Sequence, residues 1–312
     1  MNSAPILVLG YNRPDYLKNL LDFLKNEKNL RLYISIDGPA LNNPNDEFLV
    51  KECQKLAKEA QEWAETKLLF SSSNNGCYLG VTKAIDWFFA NEEFGIILED
   101  DLVFDSTVIT FLTQGLLKYS GNVEVGAVCA FSHLSPYLIS NAPISTQMVS
   151  FPSSWGWATW GDRWAKVERD FSSYSYPSFI TRSLKYGGLS GVRTWMQVRK
   201  RLEKEELDSW AYRWLLTHCR YGWKVVVPSR SLITNIGFRP DATHTKNDKP
   251  ILGVQCFTKE TSTPKFFFYN HFDPYYDEFL LRNIYGVIPI WEKVKTKSKV
   301  FFNKGIEMWF QK

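Results

Sequence analysis

The sequence predicts an α/β fold, a mixed and mainly parallel sheet flanked by helices. Over the first hundred residues, short apolar runs of strand type alternate with amphipathic helical patterns and are joined by short connections. That alternation aligns strands in parallel through right-handed crossovers. Three of the runs end in polar clusters, Tyr11-Asn12-Arg13, Asp37-Gly38 and Glu99-Asp100-Asp101. Parallel sheets bind ligands beyond the carboxyl ends of their strands, so these clusters mark one edge as a site.

Each element has its own warrant. Ile6-Leu7-Val8-Leu9 is a buried strand, and Asn12-Arg13-Pro14-Asp15 starts a helix whose inner face is Leu17, Leu20, Leu21 and Leu24. Leu32-Tyr33-Ile34-Ser35-Ile36 is the next strand, halted by Asp37-Gly38-Pro39. A helix over about 45–65, a short strand at 67–70, a turn at Asn74-Asn75-Gly76 and a helix over 80–91 follow. A strand at 95–98 then delivers the acids. Strands are expected again at 125–129 and 225–227, with a charged amphipathic helix over 193–207 that reads as a solvated face. Between them, Ser153-Ser154-Trp155-Gly156-Trp157-Ala158-Thr159-Trp160 fits neither a strand nor a helix stripe. One or two of these Trp suit a core, while the intervening Gly and Ser suit a loop facing a ligand.

Glu99-Asp100-Asp101 carries the most chemistry. Carboxylates crowded where a strand leaves the core are costly unless cations or hydrogen-bond donors neutralise them. A hard divalent ion bridging a carboxylate and a diphosphate would do so. The plainer reading is a strand end followed by an acidic cap. Asp208, before Ser209-Trp210, likewise reads either as a helix N-cap or as a chemical carboxylate.

Composition narrows the class. Of 312 residues, 45% are hydrophobic, enough for a folded core, and the net charge of +4 argues against a dedicated nucleic-acid binder. Aromatic content is 16%, with 12 Trp and 15 Tyr, which suits stacking on sugar rings as well as core packing. Five scattered Cys (Cys53, Cys77, Cys129, Cys219, Cys256) fit reduced thiols better than a disulfide frame or a zinc site. Met1-Asn2-Ser3-Ala4-Pro5 leads straight into a strand with no signal peptide, and no apolar run approaches the roughly 20 residues of a membrane span. The expectation is a cytoplasmic protein.

The order of these segments resembles the GT-A glycosyltransferases, enzymes with a Rossmann-like first half that use nucleotide sugars. Pro5-Ile6-Leu7-Val8-Leu9-Gly10-Tyr11-Asn12-Arg13-Pro14 is similar to their first strand and nucleotide-contacting loop. Ile34-Ser35-Ile36-Asp37-Gly38 is similar to the second strand, and Glu99-Asp100-Asp101 to the DXD-type metal motif. The pattern is nearest that of the inverting N-acetylglucosaminyltransferases of N-glycans (type I), whose Gly-Trp and Trp-Asp segments resemble Gly156-Trp157 and Asp208-Ser209-Trp210. Bacterial family 2-like sugar transferases share a Trp-Gly-Trp-Ala-Thr-Trp block and an Asn-x-Gly-Phe…Ala-Thr-His-Thr block, both present here. The resemblance covers about residues 4–245. It departs at the metal motif, where Glu stands first, so Asp101 becomes the direct ligand and Glu99 lies nearer the sugar or ribose.

The resemblance implies a metal-dependent inverting glycosyltransferase, moving a sugar from a nucleoside-diphosphate sugar, UDP foremost, to a glycan or lipid-linked acceptor in surface-polysaccharide or glycoconjugate assembly. Mn²⁺ or Mg²⁺ would be held by Asp101, while His244 reads either as a further ligand to the metal or diphosphate or as an ordinary polar residue. Tyr11, Asn12, Arg13, Asp37, Glu99 and Asp100 would contact the nucleotide or sugar donor. Lys83 reads either as a nucleotide contact or as a solvent-facing Lys. Asp208 would be the catalytic base, and Trp155, Gly156 and Trp157 would shape the sugar and acceptor pocket. The organisation expected is a donor half over 1–130, an acceptor half over 131–250 of the same domain, richer in helix, and an aromatic, Lys-rich extension over 251–312 ending in a helical tail. Residues 292–312 hold six Lys against two Glu. That tail suits either an anionic membrane surface or a helix packed on the domain. A sugar nucleotidyltransferase would require a Gly-rich basic phosphate loop, which Gly10-Tyr11-Asn12-Arg13 is not. A non-catalytic glycan-binding module would leave the three strand-end clusters without a purpose.

Overall fold

The computed structural model describes residues 3–41, 43–134, 144–237 and 265–288. The chain runs β1 (Ile6–Gly10), α1 (Pro14–Leu24), β2 (Arg31–Ile36), α2 (Pro44–Glu59), β3 (Glu65–Phe70), α3 (Gly76–Phe89), β4 (Phe94–Glu99), β5 (Leu102–Phe104), α4 (Val108–Tyr119) and β6 (Val125–Cys129). It continues through β7 (Ile144–Val149), β8 (Trp157–Trp160), α5 (Gly161–Trp164), α6 (Tyr176–Ser183), α7 (Gly188–Glu203), α8 (Trp210–Tyr221), β9 (Lys224–Pro228), β10 (Ile233–Asn235), β11 (Phe266–Phe267) and α9 (Pro274–Asn283). Pro14 opens α1 where its missing N–H costs nothing, and Tyr16, Leu17, Leu20, Leu21 and Leu24 form the buried stripe. Asn43 caps α2 by accepting from the Asn45 N–H.

Among the described residues, nine strands form one sheet in the order β11-β7-β9-β6-β8-β4-β1-β2-β3. The fold is α/β and the sheet is mainly parallel, with β8 antiparallel to both β4 and β6, and β7 antiparallel to β9. Ile6, Leu7, Val8, Ile34, Ile96 and Ile97 are wholly buried, as strands covered on both faces require. Strands from both sides of residue 130 share this sheet. β5 and β10 pair antiparallel as a separate ribbon.

Three sequence expectations are corrected. The Trp segment is no loop after residue 156, because β8 lies in the middle of the sheet with all four residues buried. The helix expected over 80–91 begins a turn earlier, at Gly76, whose φ of +75° is open to glycine. The helix expected over 45–65 stops at Glu59, a 3₁₀ turn (Ala60–Glu62) follows, and β3 starts at Glu65.

The chain divides into two units, Met1–Glu168 with Asp208–Asp273 and Arg169–Leu207 with Pro274–Lys312. The first holds both sheets. In the second, the Arg199 guanidinium is buried, ion-paired to Glu203 at 2.8 Å and 4.1 Å from the Tyr176 ring centroid. The helix expected over 193–207 is therefore less solvated than its charges suggest. Among the described residues no helix is long and apolar enough to cross a membrane. The expected ligand His244 and the tail over 292–312 lie outside the described residues.

Candidate active site

Register assembles the site. β4, β1 and β2 are neighbours and parallel, with Leu9 opposite Glu99 and Gly10 opposite Ile36. Glu99-Asp100-Asp101, Tyr11-Asn12-Arg13 and Asp37 therefore leave the sheet side by side. A cleft of about 610 Å³ opens there, lined by Tyr11, Arg13, Asp37, Glu99, Asp100 and Asp101, with Trp155 and Trp210 supplying aromatic surface.

The acids are crowded against one cation. Arg13 Nη1 lies 3.0 Å from Asp101 Oδ2 and 4.0 Å from Asp100 Oδ1. Burial, then the neighbouring charges of Asp101 and Asp100, push Glu99 well above the usual carboxylate range. Burial and Asp101 raise Asp100 to about 7, against the opposing pull of Arg13. Asp101 is raised too, chiefly by burial, while Arg13 pulls it down. Asp101 Oδ1 is buried with no hydrogen-bond partner. The Ile236 N–H donates to the Asp101 carbonyl at 3.0 Å, so the strand that includes Asn235 brings the following backbone over this carboxylate.

An orphaned carboxylate oxygen beside two further acids is the hard oxygen donor set that Mg²⁺ or Mn²⁺ takes. Among the described residues no group of three His, Cys, Asp or Glu is spaced to chelate an ion alone. Asp101 would thus hold a cation that draws its remaining ligands from a bound diphosphate or water, which fits ions that keep an open coordination sphere.

Asp37 is pinned rather than free. It accepts from the Gly38 N–H at 2.9 Å, from the Asn75 N–H at 3.0 Å and from Asn75 Nδ2 at 2.9 Å. Lys83 donates to Asn75 Oδ1 at 2.6 Å; its side chain is exposed and stands behind Asn75. Asn75 thus links Lys83 to Asp37, a role hidden in a sequence where Asn74-Asn75-Gly76 reads only as a turn. Tyr11 and Asn12 both donate to Asp46, a buried residue in the first turn of α2 that the sequence does not single out. Its position near a helix start reads as an ordinary acidic first turn.

Asp208 sits neither at its own helix cap nor free. Ser209 caps α8, its Oγ accepting from the Tyr212 N–H. The Asp208 carboxylate instead accepts from the N–H groups of Cys77 and Tyr78, both at 2.9 Å, at the start of α3. It lies against Gly76 and Cys77, which line the cleft; a Cβ on Gly76 would approach Asp208 Oδ2 to 2.9 Å. Burial, then Glu99 and Asp208, push the Cys77 thiol up to about 12, so it stays protonated and unreactive.

The aromatic block splits. Trp155 is half-buried, edge-on to Phe131 with centroids 4.6 Å apart, and its surface faces the cleft. Trp157 is wholly buried, stacked on Trp210 at 5.5 Å and packed against Trp164 and Trp214. A buried ring offers no face to a sugar, so the expectation for Trp157 is corrected; Trp210 backs the cleft wall but is itself buried, which leaves Trp155 as the partly exposed ring. Gly156, with φ +54°, is the hinge between them, and a Cβ there would lie 1.9 Å from Ile233 Cδ1.

No family model and no curated protein matches the chain. Among solved structures it is similar to a crystal structure of the glycosyltransferase GlyE of Streptococcus pneumoniae TIGR4, with 12% identity and a TM-score of 0.29 over 59% of this chain and 40% of that one. The apo form of the same glycosyltransferase gives 11% identity and a TM-score of 0.29 over 67% of this chain and 45% of that one. The chain spans less than half the length of either.

Proposed function

We propose that the protein is a metal-dependent, inverting glycosyltransferase that moves a sugar from a nucleoside-diphosphate sugar, UDP foremost, to a glycan or lipid-linked acceptor. The observation that carries the reading is the unpartnered Asp101 Oδ1 within a triad of acids at the exit of β4, beside the polar exits of β1 and β2. A site that strains three carboxylates against a single Arg is built to receive more positive charge. Mn²⁺ or Mg²⁺, held by Asp101, would offset the charge that develops on the departing diphosphate.

This chain's own residues do the rest. Asp37 and the loop bearing Tyr11 and Asn12 would bind the nucleoside, and Arg13, on the same cleft wall, would contact the phosphates. Trp155 presents its ring to the sugar face. The acceptor oxygen attacks the anomeric carbon, its proton passes to the Asp208 carboxylate, and the bond from that carbon to the phosphate oxygen breaks. Its Lys-rich tail at 292–312 would hold the protein at the cytoplasmic face of a membrane, where a lipid-linked acceptor lies.

The test is a thermal-shift screen of UDP, GDP, CMP and dTDP sugars, each with Mn²⁺, Mg²⁺ or EDTA. A ligand at about 100 times its Kd adds roughly 2.7 kcal/mol of stability. The expected result is a metal-dependent rise with one nucleotide class, followed by sugar transfer to an added acceptor. Sugar binding alone, with neither nucleotide nor metal, would replace this reading with that of a glycan-binding module.

A further inference from the structure

Asp46 lies in the first turn of α2, is wholly buried, and has no role in the chemistry above. Its carboxylate accepts three hydrogen bonds, from the Tyr11 hydroxyl, from Asn12 Nδ2 and from the Ala40 N–H at 2.6 Å. Tyr11 and Ala40 both line the cleft, one after β1 and the other after β2. A buried carboxylate is tolerated only when its oxygens are filled, and all three donors come from loops at the cleft. Burial alone would push Asp46 up, yet the hydrogen bonds from Tyr11, Ala40 and Asn12 outweigh it and hold the group below the usual carboxylate range. The start of α2 favours the same charge. Reciprocally, burial and then Asp46 push the Tyr11 phenol far above its ordinary range.

We infer that Asp46 is a positioning residue for nucleotide binding, a single buried anion that clamps the loops after the first and second strands into one binding edge. The inference rests on the reading of the cleft as a nucleotide-sugar site. Charge-assisted hydrogen bonds are roughly twice as strong as neutral ones, so the clamp is stiff and its loss is felt at both loops together.

Asp46→Asn keeps shape and one acceptor while removing the charge; Tyr11→Phe removes one contact from the other side and keeps the ring. Two readouts are taken on the full chain with Mn²⁺: the Kd for UDP by calorimetry, and the Tyr11 ring signal by NMR of ring-labelled tyrosine. Asp46→Asn is expected to shift and broaden the Tyr11 signal and to raise the Kd about tenfold, one hydrogen bond's worth on a charged group. Introduced on a Tyr11→Phe background, it should raise the Kd less than it does alone. A folded Asp46→Asn protein with the Tyr11 signal unchanged overturns the inference, as does a changed signal with an unchanged Kd. Full additivity of the two substitutions also overturns it. If the wild type binds none of the four nucleotides, the reading of the cleft falls; a Tyr11 signal that still responds to Asp46→Asn then shows the clamp intact and its assignment to nucleotide wrong. Should Asp46→Asn not fold, Tyr11→Phe with Asn12→Ala takes its place, and an unchanged Kd in that pair overturns the inference.

Discussion

Arg13 and Asp101 form an ion pair at 3.0 Å that uses only one of the two carboxylate oxygens; the other, Oδ1, is buried and unpartnered. Leaving such an atom unsatisfied is destabilising by about 1–3 kcal/mol, and more where the group is charged. A site that bears this penalty within the protein alone gains from any cation that enters.

Asp101→Ala follows directly. The substitution removes the unpartnered oxygen together with the Arg13 partner, so the metal-free protein should lose little stability. It should, however, lose the Mn²⁺-dependent part of the nucleotide thermal shift, about 2.7 kcal/mol where ligand stands at 100 times its Kd. Calorimetry with and without EDTA checks this. A variant whose nucleotide binding still depends on Mn²⁺ would move the ion elsewhere.

Stability of the metal-free protein should fall as pH rises through neutrality. Asp100 keeps its proton up to about 7 in the fold, whereas a free Asp releases it near 3.9. Between those values the folded state binds more protons than the unfolded chain, so stability declines with rising pH. Glu99, raised in the same direction, adds to the decline. His218, buried and lowered to about 4, acts oppositely, but only below its ordinary value. The window to measure therefore starts at about pH 6.5, above the ordinary titration of His. There Tm should drop with pH, and Mn²⁺ should restore more of it at the alkaline end, because the cation replaces protons on the acids. A Tm that rises over this window would refute the argument.

Much of the site is legible in the sequence because strand exits are local. An apolar run that ends in polar residues states its own position in a parallel sheet, so Arg13, Asp37 and Glu99-Asp100-Asp101 group together from residue order and strand pattern alone. What stays hidden is long-range. Asp208 binds N–H groups about 130 residues earlier, and Asp46 reaches back 35 residues to Tyr11. Nothing in either residue's neighbourhood encodes the partner. The Trp block misleads for a different reason: β8 is covered on both faces, so its residues show no alternation to betray a strand.

That burial separates two neighbouring tryptophans experimentally. Trp157→Ala empties a site packed by three other Trp rings and should destabilise the protein by about 3–5 kcal/mol. Trp155→Ala removes a half-buried ring, so it should lower stability less while weakening binding of the sugar moiety. Urea denaturation of both, beside the affinity for a nucleotide sugar relative to the bare nucleotide, makes the distinction. If Trp157→Ala folds normally and selectively loses sugar affinity, the assignment of Trp157 to the core is wrong.

The observed cap role of Asp208 and its proposed role as base can be separated by substitution. As a cap, it satisfies two N–H groups at the start of α3; as a base, it must take the acceptor's proton. Asn has only one acceptor oxygen where Asp uses both, so it can keep one of these two N–H bonds, whereas replacing a cap by Ala costs about 0.5–2 kcal/mol. Asp208→Asn should therefore lower Tm by less than Asp208→Ala and hold nucleotide affinity near wild type, yet lower kcat by about 10²–10⁴, the contribution typical of a positioned proton acceptor. Asp208→Ala should lose the same activity and the cap as well, with a lower Tm. An Asp208→Asn enzyme that keeps its kcat would leave Asp208 as a cap alone and shift the search for the base to another carboxylate. If both substitutions cut activity only in proportion to the stability lost, the carboxylate serves by holding Gly76 and Cys77 at the cleft wall.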